Sequence, residues 1–295
     1  MKRITQLLVL SILLAALSGC GAKAGPAQIA ATTLPVYEFT SRLCEGTDIT
    51  VTRLVTEQVS CLHDYSLNVR QVKTAEAAEV IVISGAGLEE FLDDMLLNAD
   101  TIDASFGLEL ICPEEEHEHG HEHEHEGHHH EEDPHIWLSP ENAKTMSQNI
   151  CDGLSSRYPE YAKIFETNLT GLLADLDALQ IYGEETLAAL SYRELITFHD
   201  GFAYFAEAFD LEILEAVEEE SGSEASAQEL AHLIEEVEHH ALPAIFTEVS
   251  GSVSAAEVIS RETGAAVFAL DMAMSGDSYF DAMYHNIDTI KEALG

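Results

Sequence analysis

Histidines are concentrated in one short segment of this sequence. Eight of the 15 lie between positions 113 and 133, where the intervening residues are mostly glutamate and glycine. They are His117, His119, His121, His123, His125, His128, His129 and His130. Neutral imidazole suits zinc, copper and nickel, and carboxylate adds charge attraction. Because this composition cannot bury apolar surface, we predict a disordered loop that binds metal weakly; a solvated acidic linker is the alternative.

A rigid metal site needs ligands outside this loop, and four residues are candidates. His135 follows Asp-Pro and precedes Ile-Trp-Leu, where an ordered segment resumes. His63 lies between a predicted strand and a predicted helix, whereas His199 and Asp271 directly follow predicted strands. Since ligands bind at the carboxyl ends of strands in parallel α/β folds, the four could converge in one cleft. Three imidazoles and one carboxylate form a suitable tetrahedral set for zinc.

The elements that would position these ligands follow an α/β pattern. Short β-branched runs alternate with amphipathic segments, which is typical of parallel sheets covered by helices. The predicted strands are Ile49–Val55, Glu79–Ser84, Leu108–Cys112, Glu194–Phe198, Glu212–Val217, Ala244–Val249 and Ala265–Leu270. The predicted helices between them include Val69–Ala78, Leu88–Asn98, Ala225–His240 and Ser278–Leu294.

A long helical region divides these strands into two groups. The Ser-Pro-Glu sequence at 139–141 has the N-cap, first-turn proline and acidic residue that begin a helix, which we expect to end near Arg157. A second helical stretch covers 159–190, with Gly183 as a candidate interruption. We therefore predict two parallel-sheet α/β lobes joined by a long rigid linking helix, with the metal site in the interlobe cleft. A single lobe with a helical insertion is the alternative.

The N-terminus has the order of a bacterial export signal. Two basic residues precede an apolar run at 7–17, which is too short to remain as a membrane span, and small residues lead to Cys20. The Leu-Ser-Gly-Cys sequence also matches a lipobox, so we predict a lipidated Cys20 that anchors the protein to the outer face of the membrane. The predicted divisions are a signal peptide at 1–19, the lipidated cysteine and tether at 20–28, an N-terminal lobe at 29–157, the linking helix at 158–190 and a C-terminal lobe at 191–295.

Charge and cysteine content limit the other roles of the chain. The formal net charge is −41 at pH 7, which disfavours binding of nucleic acid and anionic lipid. The chain has no G-x-x-x-x-G-K-[ST] motif, so energy for any transport would come from a partner ATPase. Four further cysteines, Cys44, Cys61, Cys112 and Cys151, allow three pairings, and no C-x-x-C suggests a zinc knuckle.

Several segments resemble the zinc- and manganese-binding solute-binding lipoproteins of ABC importers. They are Leu-His-Asp-Tyr-Ser-Leu at 62–67, the His-rich loop, Asp-Pro-His-Ile-Trp-Leu-Ser-Pro at 133–140, Phe-His-Asp-Gly-Phe-Ala-Tyr-Phe at 198–205, and Asp271. The resemblance covers nearly the whole mature chain. It implies that His63 and His135 bind the metal from the N-terminal lobe, and His199 and Asp271 from the C-terminal lobe. It also implies a monomeric binding protein, not an enzyme, that delivers its metal to a membrane permease with a cytoplasmic ATPase.

Within that family the third ligand is typically histidine in zinc binders and glutamate in manganese binders. His199 and the His-rich loop therefore favour Zn(II), with Mn(II) as the alternative. Leu62 stands where some zinc members have an acidic residue, so the fourth ligand could be Asp271, a water molecule or the Cys61 thiolate. The alternatives to a transport protein are a lipoprotein with a role in cell adhesion and a secreted zinc hydrolase.

Other polar residues could support the site or lie apart from it. Glu248 and Asp200 are candidates to accept a hydrogen bond from a coordinated imidazole, although either could be an ordinary polar residue. The remaining histidines fall on helical patterns, and we predict that they lie on the surface. They are His232, His239, His240 and His285.

Overall fold

Two four-stranded parallel sheets form the centres of two α/β lobes in the computed structural model, which describes residues 28–59, 62, 65–112, 132–217 and 225–295. The first sheet has the order β2-β1-β3-β4 and the second the order β6-β5-β7-β8. The strands are β1 Gln28–Ala31, β2 Thr50–Arg53, β3 Val80–Ile83, β4 Thr101–Asp103, β5 Glu194–Thr197, β6 Glu212–Ala216, β7 Ala244–Glu248 and β8 Ala266–Leu270. The predicted fold class is confirmed, and the single-lobe alternative is wrong because no pairing joins the two sheets among these strands.

The helices of the described residues pack on both sheets and between them. Those of the N-terminal half are α1 Leu34–Leu43, α2 Val69–Ala77 and the short α3 Asp93–Leu96. The two central helices are α4 Pro140–Arg157 and α5 Ala162–Leu187. The C-terminal helices are α6 Ala203–Ala208, α7 Ala227–His239, α8 Ser254–Thr263 and α9 Tyr279–Leu294. Short 3-10 turns occupy Glu90–Leu92 and Ile136–Leu138.

Helix α5 connects the two lobes along one apolar face. It packs against α4, α1 and α9. Its buried residues recur every three or four positions, as one face of a helix requires. They are Phe165, Leu169, Leu172, Leu176, Leu179, Gly183 and Leu187. Gly183 does not interrupt the helix: a Cβ there would overlap the Phe209 ring, so glycine lets the ring pack against the helix backbone.

The segment after β8 fastens the C-terminal lobe to helix α1 of the N-terminal lobe. The Leu34 N–H donates to the Met274 carbonyl at 3.3 Å, and the Tyr279 N–H donates to Glu38 Oε2 at 2.6 Å. The Tyr279 ring meets Phe39 edge-on, with ring centroids 5.0 Å apart. These contacts, together with α5, pack the two lobes against each other.

The strand predicted at 108–112 is wrong. The fourth strand of the first sheet is β4, which pairs with β3 through Val82 and Ile102. The apolar side chains of 108–112 pack against the core without strand pairing, so their alternation reflects burial rather than a ladder. Strand β1, which begins at Gln28 in the predicted tether, and helix α1 were not predicted.

The N-terminal and His-rich segments, about which several predictions were made, are not described by the structure. The predicted signal peptide and Cys20 lie in 1–27, and most of the His-rich segment lies in 113–131; both ranges are outside the described residues. In the described part of the chain, no helix is both long enough and apolar enough to cross a membrane. Cys44 and Cys151 are buried thiols and Cys112 is exposed; none is bonded to another described cysteine.

One buried carboxyl group joins the ends of two strands in the N-terminal lobe. Glu89 accepts hydrogen bonds from the Thr32 hydroxyl at 2.6 Å and from the backbone N–H groups of Ser84 and Gly85 at 2.7 and 3.0 Å. Thr32 follows β1, and Ser84 follows β3. Burial raises the pKa of Glu89 to about 7, although these hydrogen bonds lower it.

We expect Glu89 to make folding stability fall as the pH rises towards neutrality. Its pKa of about 7 in the folded chain exceeds the ordinary value of 4.5, so the folded state holds the proton more tightly. This stabilisation is complete below pH 4.5 and is lost as the pH rises through 7; it amounts to about 3 kcal/mol at most. The free energy of unfolding, measured in urea, should depend less on pH for Glu89→Gln than for the control Glu90→Gln, which changes an exposed neighbour. Equal pH dependence in the two variants would contradict the assignment.

Candidate metal centre

His135 enters the cleft at the point where the ordered chain resumes. It precedes the 3-10 turn, and its backbone N–H and its Nδ1 both lie 2.8 Å from Asp133 Oδ1. A carboxylate can only accept, so Nδ1 carries the hydrogen and Nε2 keeps its lone pair. The next turn is anchored across the cleft, because Trp137 Nε1 donates to the Met272 carbonyl at 2.8 Å. His135 is therefore buried and held in one orientation.

His199 is oriented in the same way by the C-terminal lobe. Strands β5 and β7 pair with Thr197 opposite Phe246, so the parallel register carries His199 past the end of β5 to the level of Glu248. Glu248 Oε1 lies 2.9 Å from His199 Nδ1, and both side chains are buried. Nδ1 of His199 donates to this carboxylate, which leaves Nε2 free to bind a metal.

The two histidines point their free nitrogens at each other. His135 Nε2 and His199 Nε2 are 3.4 Å apart, and their rings are nearly perpendicular, at 84°. Two nitrogens that each lie about 2.0–2.1 Å from a tetrahedral zinc ion are separated by roughly 3.3–3.4 Å. Two facing lone pairs repel unless a proton or a cation lies between them. The spacing therefore matches one edge of a tetrahedral metal site.

The charge around this pair also favours a cation. Asp133 Oδ2 and Glu248 Oε2 are buried, and neither has a hydrogen-bond partner among the described residues. Uncompensated buried carboxylates are costly, and a divalent ion bound to their imidazoles would offset the charge. The donor set and its charge thus fit zinc or a similar ion.

Asp200 and Asp271 are the other two predicted acidic residues of the C-terminal lobe. Burial raises the pKa of Asp200; the Asp133 carboxylate raises it further, and His199 and His135 lower it. Burial also raises the pKa of Asp271, against a lowering hydrogen bond that its Oδ1 accepts from the Ala273 N–H at 2.8 Å. Among the described residues no imidazole donates a hydrogen bond to either carboxylate, so the structure does not support Asp200 as an orienting group.

Several predicted metal-binding residues lie outside the described part of the chain. His63, Cys61 and the eight loop histidines fall outside the described residues. Their neighbours Leu62 and Tyr65 are described, and Leu62 is buried in the core of the N-terminal lobe. Of the predicted ligands, the structure therefore brings together His135 and His199.

Sequence reasoning missed three residues that shape the centre. Gly201 packs directly over both imidazoles: a Cβ there would lie 2.7 Å from His199 Cδ2 and 2.9 Å from His135 Nδ1. The Tyr204 hydroxyl donates to the Asp133 carbonyl at 3.0 Å and accepts the Ile111 N–H at 2.9 Å, so it joins both ends of the His-rich loop. Asp133 is the third. The signal that could have found them is their position within the motifs at 133–140 and 198–205.

The family comparison covers both lobes. A family model described as "Zinc-uptake complex component A periplasmic", or ZnuA, matches residues 29–293. The chain belongs to this family. Members of the ZnuA family are substrate-binding proteins of transporters, so the hydrolase alternative is wrong.

Named relatives of this ZnuA-family chain carry metal-binding descriptions. The zinc-binding lipoprotein AdcA of Streptococcus pneumoniae is 30% identical over 307 aligned residues, covering 99% of this chain and 61% of AdcA. The manganese-binding lipoprotein MntA of Halalkalibacterium halodurans is 26% identical, covering 79% of this chain and 77% of MntA. The crystal structure of the Zn(II)-bound ZnuA-like domain of Streptococcus pneumoniae AdcA superposes with a TM-score of 0.76 at 26% identity, covering 92% of this chain and 99% of that domain. The chain thus spans about three fifths of AdcA.

We expect Glu248→Gln to weaken zinc binding by about 10- to 100-fold. The amide keeps the size of the side chain but loses the charge that makes His199 a more basic ligand. Chelator-competition titration of zinc should show this loss. The control Glu262→Gln, which removes one charge from an exposed position on α8, should leave the zinc affinity unchanged. Wild-type affinity in Glu248→Gln would rule out an orienting role for this carboxylate.

Proposed function

We propose that this chain is the extracytoplasmic, high-affinity zinc-binding component of an ABC-type metal importer. It captures Zn(II) in the interlobe cleft and delivers it to a membrane permease driven by a cytoplasmic ATPase. Membership of the ZnuA family and the zinc-binding relatives support this role. The observation that carries it is the facing pair of Nε2 atoms, 3.4 Å apart, with each ring held by a carboxylate.

In this proposal His135 and His199 are two of four ligands. His63 from the N-terminal lobe and Asp271 from the C-terminal lobe complete a tetrahedral set, with water or Cys61 as the alternatives at the fourth position. Asp271 suits the role because it directly follows β8, which pairs with β7 in a register that places Leu270 opposite Glu248. Because its ligands come from both lobes, such a site forms only when the two lobes are folded and packed together.

The proposed location, on the outer face of the membrane, rests on the predicted lipobox at the N-terminus and on the relatives described as lipoproteins. Lipidation at Cys20 would anchor a monomer to the outer face of the membrane, consistent with the lipoprotein names of its relatives. The proposed domain divisions remain those of the sequence, with the linking helix at 158–190 between lobes at 29–157 and 191–295. The adhesion role stays an untested prediction.

Zinc rather than manganese is the proposed cargo. Two or three imidazoles favour zinc, whereas manganese prefers oxygen ligands and binds nitrogen sites more weakly. The manganese-binding relative keeps Mn(II) as the alternative.

Competitive titration with zinc and manganese tests this function. The wild-type chain is compared with a variant that lacks 114–131, in which Cys112, Pro113 and Glu132 link Ile111 to Asp133. Those ends already meet, because the Asp133 N–H donates to the Ile111 carbonyl at 2.9 Å. We expect one tight zinc equivalent in both proteins and manganese affinity at least about 100-fold weaker.

Two outcomes would overturn the proposal. Loss of the tight equivalent on deletion of the loop would place high-affinity binding in the His-rich segment rather than in the cleft. Manganese binding as tight as zinc binding would favour the manganese alternative. The unfolding transition of each protein, measured by circular dichroism, shows whether the deletion preserves the fold.

A further inference from the structure

A second group of metal-ligating side chains lies at the end of helix α7, outside the cleft. Glu236, His239 and His240 each offer one ligand atom, and these atoms all lie within 4.8 Å of one another. Their positions, i, i+3 and i+4, share one face of a helix. Glu236 and His240 are half-buried and His239 is exposed, so the group is open to solvent on one side.

A carboxylate orients one of these imidazoles. Glu194 Oε2 lies 3.0 Å from His240 Nδ1, while His240 Nε2 faces Glu236 Oε2 at 3.5 Å. A carboxylate can only accept, so Nδ1 donates to Glu194, and in the neutral imidazole Nε2 keeps its lone pair on the side of Glu236. The pairs Asp133–His135 and Glu248–His199 in the cleft have the same arrangement, in which an acceptor prepares an imidazole for a metal.

The surroundings of this group also attract a cation. Helix carbonyls give the C-terminal end of α7 a partial negative charge, to which Glu194 and Glu236 add two carboxylates. The ion pairs made by described lysines and arginines involve other carboxylates, so no described lysine or arginine is paired with these two. An ordinary i,i+4 pair would account for Glu236 and His240, but not for His239 and Glu194 at the same point.

This group is remote from the cleft. Glu194 is the first residue of β5, whereas His199 lies just beyond its last residue. At about 3.3 Å per residue, the two ends of this stretch are roughly 17 Å apart. An ion bound at α7 would therefore share no ligand with the interlobe centre.

We propose that Glu236, His239 and His240 form a second, external site for a divalent transition ion, with Glu194 as the positioning residue for His240. Two imidazoles and one carboxylate suit zinc, nickel or copper, and water completes the coordination. Because it has three protein ligands and is open to solvent, this site binds more weakly and exchanges faster than the cleft. It takes up metal while the cleft is filled.

Histidine footprinting of the full chain tests this site. Diethyl pyrocarbonate modifies an imidazole through its free lone pair, which a bound metal blocks, and peptide mass spectrometry reports each histidine separately from those of the loop. Zinc is the probe, at free concentrations fixed by a chelator. We expect protection of His239 and His240 together at zinc concentrations above those that fill the tight site in chelator competition, while His232, which contacts Glu215, and His285 stay reactive.

A pair of charge-matched variants separates ligation from general attraction. Glu236→Gln should raise the zinc concentration that half-protects His239 and His240 at least tenfold. Glu235→Gln removes the same charge from an exposed neighbour and should change it less than twofold. Equal shifts in the two variants, or protection no greater than that of His232, would overturn the proposal. A wild-type unfolding transition, measured by circular dichroism, shows that each variant is folded.

Discussion

Zinc binding by a His135→Ala variant is expected to be at least about a thousandfold weaker than binding by the wild-type chain. The substitution removes one of two facing Nε2 atoms and leaves His199 without its partner across the cleft. It also leaves the Asp133 carboxylate without the imidazole that it orients. Loss of a ligand should exceed the 10- to 100-fold effect typical of its orienting partners. Competition with a high-affinity chelator measures the tight site without interference from weak sites.

The matched control for this prediction is His285→Ala. His285 is exposed on α9, where Nε2 donates to the Ala269 carbonyl at 3.1 Å. The His285→Ala substitution removes an imidazole outside the cleft, so the tight zinc equivalent should persist. Tight binding in His135→Ala, in a protein with a wild-type unfolding transition, would show that the metal binds elsewhere.

Gly201→Ala is expected to lower zinc affinity by about 100-fold without a change in any ligand. The added Cβ would lie 2.7 Å from His199 Cδ2, 2.7 Å from Met272 Cε and 2.9 Å from His135 Nδ1. The two imidazoles must move apart to relieve these contacts, because Met272 is buried and its carbonyl is bonded to Trp137. A 100-fold loss corresponds to about 3 kcal/mol less stabilisation by saturating zinc. Thermal unfolding with and without zinc measures this difference.

Gly171→Ala provides a control with the same chemical change and the opposite expectation. Gly171 is exposed on helix α5, and a Cβ there would meet no atom within 4 Å. Alanine favours a helix by up to about 1 kcal/mol over glycine, so this variant should unfold at a slightly higher temperature with unchanged zinc affinity. An equal zinc-induced rise in melting temperature for Gly201→Ala and wild type would contradict tight packing over the imidazoles.

Strand prediction succeeded where local pattern and burial agree. Strands β5 to β8 lie within one or two residues of the predicted runs, because each is a short β-branched segment bounded by turns. The run at 108–112 has a similar pattern, but Leu108, Leu110 and Ile111 are only partly buried against the core and have no neighbouring strand. Strand β1 is the four-residue segment QIAA, whose pairing with β2 and β3 is decided by residues far along the chain. Local sequence cannot distinguish these cases.

The choice of orienting carboxylate also depended on the fold. Asp200 and Glu248 are both candidates to accept a hydrogen bond from His199, because both are carboxylates. Asp200 follows His199 directly, whereas Glu248 lies 49 positions later. The register between β5 and β7 places Glu248 beside the imidazole, whereas no described hydrogen bond joins Asp200 to it. Sheet pairing, rather than proximity in sequence, selected the partner of His199.

The amino-acid sequence by itself determined the kinds of ligand available and their positions at strand ends, since residue type and the period of apolar residues are local properties. It thereby predicted two α/β lobes and a cleft suited to zinc. Only the tertiary structure decided that His135 and His199, 64 positions apart, face each other at 3.4 Å. It also decided that Gly201 leaves space for them and that Glu194 orients His240 near Glu236. These distances arise from packing between distant segments, which no local pattern encodes.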